Sequence, residues 1–185
     1  LVKFLVGFTP WLLFLFLSGH TLVSLERSIL ISLLASVLFS LKELRKGFIL
    51  QWGTLFFFIA CTLTVNFLHL MSVVKNMAVI SNGFFACLIW GTILIGKPFT
   101  LQYAKADLPK ERWEDPELIR SCRFIAVVWA LLLTFSALIS YFRILNPTFL
   151  PNWVYFDITI GIILGVTVFT SLYKKYKRNQ YRPAK

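Results

Sequence analysis

Six runs of apolar residues dominate this sequence, and their lengths constrain the fold more than any other feature. A helix needs about 20 apolar residues to cross the hydrocarbon core of a bilayer, and most of these runs approach that length. The chain is 58% hydrophobic and 15% charged, whereas soluble domains average ~45–50% apolar and ~25% charged residues. The predicted spans are Phe4–Ser18, Thr21–Leu41, Phe48–Leu68, Met77–Ile95, Phe124–Phe142 and Trp153–Tyr173.

The pattern predicts an all-α fold, a polytopic transmembrane helical bundle formed by residues 1–185 as a single domain. The first run is short and contains Pro10, so a re-entrant segment there would leave five spans. This run also resembles the core of a signal peptide. Because Ser18-Gly19-His20 is a poor cleavage site, we expect a retained membrane segment.

The distribution of basic residues predicts the orientation of the bundle. All but three of the 19 Lys and Arg residues fall on the side that holds both termini in a six-span arrangement, the exceptions being Arg27, Lys75 and Arg143. Basic residues accumulate in cytoplasmic loops. We therefore predict cytoplasmic N- and C-termini in a multi-pass protein of the bacterial inner membrane.

The net charge of +11 raises the alternative of a nucleic-acid partner. The basic residues border the apolar runs, and no soluble platform of interleaved aromatic residues accompanies them, so nucleic acid is not expected. Residues 174–185 form a basic cytoplasmic tail without any acidic residue. Such a tail is attracted to anionic headgroups, so the lipid bilayer is a predicted partner.

Residues 96–123 form the longest polar stretch, predicted to be an amphipathic cytoplasmic loop. Gly96 and Pro98 are residue types that end a helix, here the fourth span. Asp115-Pro116-Glu117 is a typical helix start, with an N-cap, a proline in the first turn and an acidic residue. The loop thus separates two spans.

This loop contains the predicted partner-binding residues Tyr103, Arg112 and Trp113. Aromatic residues beside arginine are typical of interface hot spots, which predicts contact with other membrane or envelope proteins. The alternative is an ordinary connection whose aromatic residues lie among the headgroups.

Ionisable residues near span ends support two other hypotheses. His20 and His69 are the only histidines, and together they could ligate a haem iron in a redox subunit. Glu26 and Asp157 could serve a proton or solute pathway in a small transporter. Interfacial structure is the simpler interpretation of all four residues, so no cofactor is predicted.

Small and polar residues within the spans indicate helix packing. Gly161 and Gly165 form a G-x-x-x-G pair that permits close helix approach, which we expect within the chain. Asn66 and Asn82 are expected to form hydrogen bonds between helices.

The sequence shows no catalytic signature. It lacks a P-loop, G-x-G-x-x-G, G-x-S-x-G and H-E-x-x-H. Cys61, Cys87 and Cys122 form no C-x-x-C pair, so they predict neither a disulfide framework nor a metal site. We therefore expect a protein that is not an enzyme.

Several short motifs, in order along most of the chain, are similar to one family. The sequence resembles the bacterial intracellular septation protein A family, also called YciB-like inner-membrane proteins. Residues 97–104 also resemble a KPFT-x-x-YA stretch found in a related group of bacterial membrane proteins. The motifs that carry the first resemblance are Phe4-Leu5 with Pro10, Gly96-Lys97-Pro98, Leu108-Pro109 with Trp113, Trp129-Ala130, and Leu150-Pro151-Asn152-Trp153-Val154-Tyr155-Phe156.

The resemblance implies a polytopic inner-membrane protein linked to envelope synthesis and septation, acting through protein partners and without catalytic residues. Our leading hypothesis is accordingly a non-enzymatic membrane protein that assembles with other envelope or membrane-complex proteins. A small transporter or permease and a haem-bearing membrane subunit are the two alternatives.

Overall fold

The computed structural model describes residues 9–18, 21–146 and 152–180. Every regular element in these residues is helical. A short 3₁₀ turn, Lys110–Arg112, lies between the sixth and seventh α-helices. The α-helices are α1 (Thr9–Leu17), α2 (Leu22–Arg45), α3 (Ile49–Cys61), α4 (Met71–Lys75), α5 (Met77–Leu94), α6 (Phe99–Asp107), α7 (Pro116–Leu145) and α8 (Asn152–Gln180).

Four helical stretches among the described residues are long and apolar enough to cross a membrane. They are Leu22–Arg45, Ile49–Phe67, Met77–Leu94 and Pro116–Leu145. Each contains or closely matches one of the four central predicted spans, so the prediction of an all-helical membrane bundle is confirmed to that extent.

The first and last predicted spans are not among these four stretches. The helical part of the first, α1, covers nine described residues, and Phe4–Phe8 lie outside the described part of the chain. The last falls within α8, in which Leu164–Tyr173 forms an apolar stretch among the described residues. The count of six spans and the location of both termini therefore stay predictions.

Local sequence explains where the helices begin and end. The amide of Ser24 donates to Thr21 Oγ1 at 3.2 Å at the start of α2. The amide of Glu117 likewise donates to Asp115 Oδ1 at 2.9 Å, which confirms the predicted start of α7. Gly96 adopts a φ of 79° just beyond α5, a left-handed conformation that ends the helix as expected.

The core consists of two adjoining groups of buried side chains. One lies between α5 and α7, which make the most extensive helix contact, and includes Trp129 and Ile89. The other lies between α2 and α3 and includes Ile29 and Phe58. Trp11 of α1 touches both, and its indole donates to Thr54 Oγ1 at 3.2 Å.

Helix α2 packs with a row of serines inward. Their small size permits close helix approach in a membrane bundle. The hydroxyls of Ser28 and Ser36 donate to carbonyls of their own helix, whereas the Oγ atoms of Ser32 and Ser40 have no hydrogen-bond partner. The buried row comprises Ser28, Ser32, Ser36 and Ser40.

Helix α3 continues into a π-helical segment, Thr62–Phe67. Wider turns of this kind are rare and are frequently found at functional sites. The segment packs against the start of α2. It therefore changes the direction of the side chains at the end of this span.

Gly53 in α3 marks a close approach to α5. A Cβ atom placed on Gly53 would collide with the Leu88 side chain, whereas one on Gly83 meets nothing within 4 Å. We expect Gly53→Leu to lower the free energy of unfolding by about 1–3 kcal/mol through overpacking. Thermal unfolding in detergent, with Gly83→Leu as the control, checks this; equal effects of the two substitutions would contradict the close crossing.

Candidate functional site

Contacts between helices bring most of the basic residues to one end of the described bundle, here called the basic end. Gln102 of α6 lies against the α2–α3 turn, and Thr100 lies against α7. The ring of Tyr173, near the end of α8, is 5.5 Å from that of Phe124 near the start of α7. The ends of α2, α5 and α8 and the start of α7 therefore meet at this end.

Helix α6 is fastened to its neighbours by three polar side chains. Gln51 Nε2 donates to Tyr103 Oη at 2.7 Å, and the Tyr103 hydroxyl donates back to Gln51 Oε1 at 2.9 Å. The amide of Ile49 donates to Gln102 Oε1 at 3.0 Å. The Thr100 hydroxyl donates to the Cys122 carbonyl at 2.6 Å. The polar stretch expected as a loop therefore contains a helix held against the membrane spans.

Tyr103 is not positioned as the sequence led us to expect. Its side chain is 7% exposed and contacts Phe48 and Phe99 inside the chain. Burial raises the pKa of Tyr103 to about 12, so its hydroxyl is neutral in the pair with Gln51. Because the ring and the hydroxyl both contact this chain, Tyr103 anchors α6 internally instead of facing a partner directly.

Trp113 and Arg112 lie on the other side of α6, where the polar stretch faces outward. Trp113 is partly buried, and its indole donates to the Leu108 carbonyl at 3.1 Å. Lys105 Nζ lies 5.5 Å from the centre of the Trp113 ring, within the range of a cation–π contact. Arg112 is exposed. We call Lys105, Arg112 and Trp113, with the exposed charged residues 107–117 around them, the docking surface.

The charges of this surface alternate in sign. Exposed basic residues such as Lys110 and Arg112 are interleaved with exposed acidic residues such as Glu111 and Glu114. Acidic side chains are repelled by anionic headgroups and by phosphates. The docking surface therefore differs from the purely basic sequence of residues 174–185, which suits anionic lipid.

A second polar group lies at the opposite end of the bundle, where α2 begins. Glu26 Oε1 is 3.6 Å from His69 Nδ1. Asn66, in the π-helical segment, donates from Nδ2 to the Glu26 carbonyl at 3.3 Å, while its Oδ1 is buried without a hydrogen-bond partner. The inter-helix role expected of Asn66 is confirmed, whereas Asn82 donates to Ala78 within its own helix.

Two other predicted sites are only partly described. His20 lies outside the described residues, so the pairing with His69 stays a prediction. Asp157 falls on α8, but its side chain is not among those described. The roles considered for these two residues therefore stay predictions from the sequence.

Gly161 and Gly165 lie on an open face of α8. Both residues are exposed, and a Cβ atom on either would meet nothing within 4 Å. The close packing within the chain that we expected is not what the described part shows. None of the described residues packs closely against the two glycines.

Comparison with known proteins adds no relative. No protein-family model matches the chain, and no curated protein or solved structure is significantly similar to it. The fold defines the class, a helical bundle whose described residues include four helical stretches suited to cross a membrane. The similarity to septation proteins stays a prediction from short motifs.

Proposed function

We propose that this chain is a non-enzymatic, multi-pass protein of the bacterial inner membrane that assembles with other envelope or membrane-complex proteins. The docking surface is its contact site, and the basic end lies in the cytoplasm. A role in envelope synthesis or septation follows from the motif resemblance.

The observation that carries this proposal is the way α6 holds Trp113. Hydrogen bonds of Tyr103 with Gln51, of Gln102 with the Ile49 amide and of Thr100 with the Cys122 carbonyl fix α6 against α3 and α7. Because the supporting helix is fastened, little conformational entropy is lost when a partner binds to the surface it carries. Tryptophan and arginine are the residue types most enriched in hot spots.

The mixture of charges supports a protein partner over a lipid one. A headgroup-binding surface benefits from a uniform positive charge, and the docking surface has four exposed acidic residues, Asp107, Glu111, Glu114 and Glu117. Complementary charges on a partner protein would add specificity and faster association.

Truncation of Trp113 tests the proposal. In Trp113→Ala, we expect recovery of co-purifying proteins to fall at least about tenfold, because removing a hot-spot residue costs about 2 kcal/mol or more. The tagged chain is purified from native membranes in mild detergent, and its partners are quantified by mass spectrometry.

Trp52→Ala is the matched control. Trp52 also lies at the basic end, is 53% exposed, and donates its indole N–H to a carbonyl of the same chain, Leu44. Trp52 therefore resembles Trp113 as a tryptophan with an intrachain indole hydrogen bond, but it lies outside the docking surface. Equal partner recovery from Trp113→Ala and the wild type, at equal chain levels, would remove the basis of the proposal.

The two alternative functions depend on four ionisable residues outside the docking surface. A small transporter would use Glu26 and Asp157, and a haem-bearing subunit would use His20 and His69. Of these four side chains the structure describes Glu26 and His69, and they lie together.

A further inference from the structure

We propose that Glu26, Asn66 and His69 form a binding site for one divalent transition-metal ion of the Zn²⁺ class. The ligand atoms are Glu26 Oε1, His69 Nδ1 and Asn66 Oδ1, with water in any remaining position. Carboxylate oxygen and imidazole nitrogen are the usual protein ligands of Zn²⁺ besides thiolate, and the amide oxygen is a weaker third ligand.

The distance between Glu26 and His69 is compatible with a shared ion. The 3.6 Å between Oε1 and Nδ1 exceeds the ~2.7–3.2 Å of an N–H···O hydrogen bond. A Zn²⁺ ion binds nitrogen at ~2.0–2.1 Å and carboxylate oxygen at ~2.0–2.2 Å. Two ligand atoms 3.6 Å apart can therefore both reach one ion without moving.

Asn66 supplies the second, independent observation. Its Nδ2 atom is tied to the Glu26 carbonyl, so the amide group lies beside the same turn of α2. Its Oδ1 atom is buried and accepts no hydrogen bond from the residues that the structure describes. Buried polar atoms are nearly always satisfied, and an amide oxygen with unused lone pairs, on a side chain held to the backbone of Glu26, has the chemistry of a metal ligand.

The backbone around these residues is unusual in a way that serves the site. Asn66 belongs to the π-helical segment, and His69 follows it with a φ of 48°. Among the described residues, His69 is the one non-glycine residue with a positive φ. Backbone strain of this kind concentrates at functional sites, and here it accompanies the approach of His69 to Glu26.

The ion would link the start of α2 to the end of the third span. Glu26 and Asn66 are 40 residues apart in the sequence. Among the described residues, the hydrogen bond between Asn66 and the Glu26 carbonyl links the two elements. A metal bridge would close this end of the bundle, as the α6 contacts close the basic end. Binding would therefore stabilise the folded chain by an amount that rises with the free metal concentration.

Metal titration of the purified chain tests the site. The full chain carrying Cys87→Ser, which removes the exposed thiol, is stripped with chelator in detergent and titrated with ZnCl₂. We expect one bound ion per chain by elemental analysis, accompanied by a rise in Tm. Glu26→Gln and His69→Gln should each weaken binding at least about tenfold and abolish the rise in Tm.

Glu43→Gln is the matched control, since Glu43 is a partly buried carboxylate near the other end of α2. It should bind Zn²⁺ like the parent chain. A parent Tm that does not respond to Zn²⁺, or binding that persists unchanged in both site variants, overturns the proposal.

A measurement on the unsubstituted site removes the dependence on variant folding. The His69 side chain is 65% exposed, so diethyl pyrocarbonate can reach its imidazole in metal-free protein. Zn²⁺ on Nδ1 leaves only a protonated, unreactive Nε2. Peptide mass spectrometry should therefore show His69 modification falling as Zn²⁺ is added, and constant modification would count against the site.

Discussion

Replacement of Trp129 by alanine is expected to lower the free energy of unfolding by about 3–5 kcal/mol. Trp129 is 3% exposed and packs in the core group between α5 and α7. Its indole donates to Thr170 Oγ1 of α8 at 3.2 Å. The substitution therefore opens a cavity and removes a link between α7 and α8 at once.

The two contributions can be separated by smaller changes. Trp129→Phe keeps most of the volume and loses the N–H donor, so we expect a loss of about 0.5–1.5 kcal/mol. Thr170→Val removes the acceptor, although it also removes the bond from Thr170 to the Val166 carbonyl. Thermal unfolding in one detergent measures all variants.

The docking of α8 would be in doubt if Trp129→Ala and Trp129→Phe had equal small effects. Such a result would mean that the space beside Trp129 is not filled by α8. The losses from Trp129→Phe and Thr170→Val could instead add in the double variant while Trp129→Ala still has a large effect. This result would support the packing of Trp129 and reject its hydrogen bond to Thr170.

Hydrophobic patterning predicted the four central spans because lipid imposes a strict length on each apolar run. The start of α7 at Asp115-Pro116-Glu117 and the end of α5 at Gly96 were also predictable, since caps depend on neighbouring residues. Local rules of this kind act over a few positions. They do not require knowledge of which helices are neighbours.

The pairing of distant residues could not be predicted in this way. Gln51 and Tyr103 are 52 residues apart, and both were buried by the folding of α6 onto α3. The sequence accordingly predicted Tyr103 to be a surface aromatic residue in a polar loop. The apolar residues Phe99, Leu101 and Tyr103 alternate with polar residues, and this spacing does not have the helical period that would indicate a helix packed on one face.

The approach of His69 to Glu26 had no signal in the sequence at all. It depends on the π-helical segment, which changes the side-chain directions at the end of the third span by local backbone geometry. Apolar periodicity cannot distinguish such a segment from an α-helix. The sequence therefore indicates the two ionisable residues individually and does not predict that they lie close together.

Tyr103→Phe is the second prediction with a large effect. The change removes the hydroxyl that both donates to and accepts from Gln51, and it leaves the Gln51 amide buried at 2% exposure without that partner. We expect a loss of about 1–3 kcal/mol in the free energy of unfolding, the cost of an unpaired buried polar group. Thermal unfolding in detergent measures it.

The same variant isolates a dependence on pH. The pKa of Tyr103 rises from 10.0 to about 12 on burial, so the folded chain holds this hydroxyl neutral where the unfolded chain ionises it. The stabilisation is complete below pH 10 and declines as the pH rises towards 12. The difference in stability between the wild type and Tyr103→Phe should therefore be constant up to pH 10 and shrink above it.

The double variant Gln51→Leu with Tyr103→Phe decides whether these two residues act as a pair. Gln51→Leu alone removes both hydrogen bonds between Gln51 and the Tyr103 hydroxyl, so each single variant should lose stability. Together the substitutions leave an apolar contact of similar volume, which can be nearly neutral. We therefore expect the double variant to be more stable than either single variant, with a coupling energy of about 0.5–3 kcal/mol. Additive losses would show that Gln51 and Tyr103 do not depend on each other and that α6 is held to α3 by the remaining contacts.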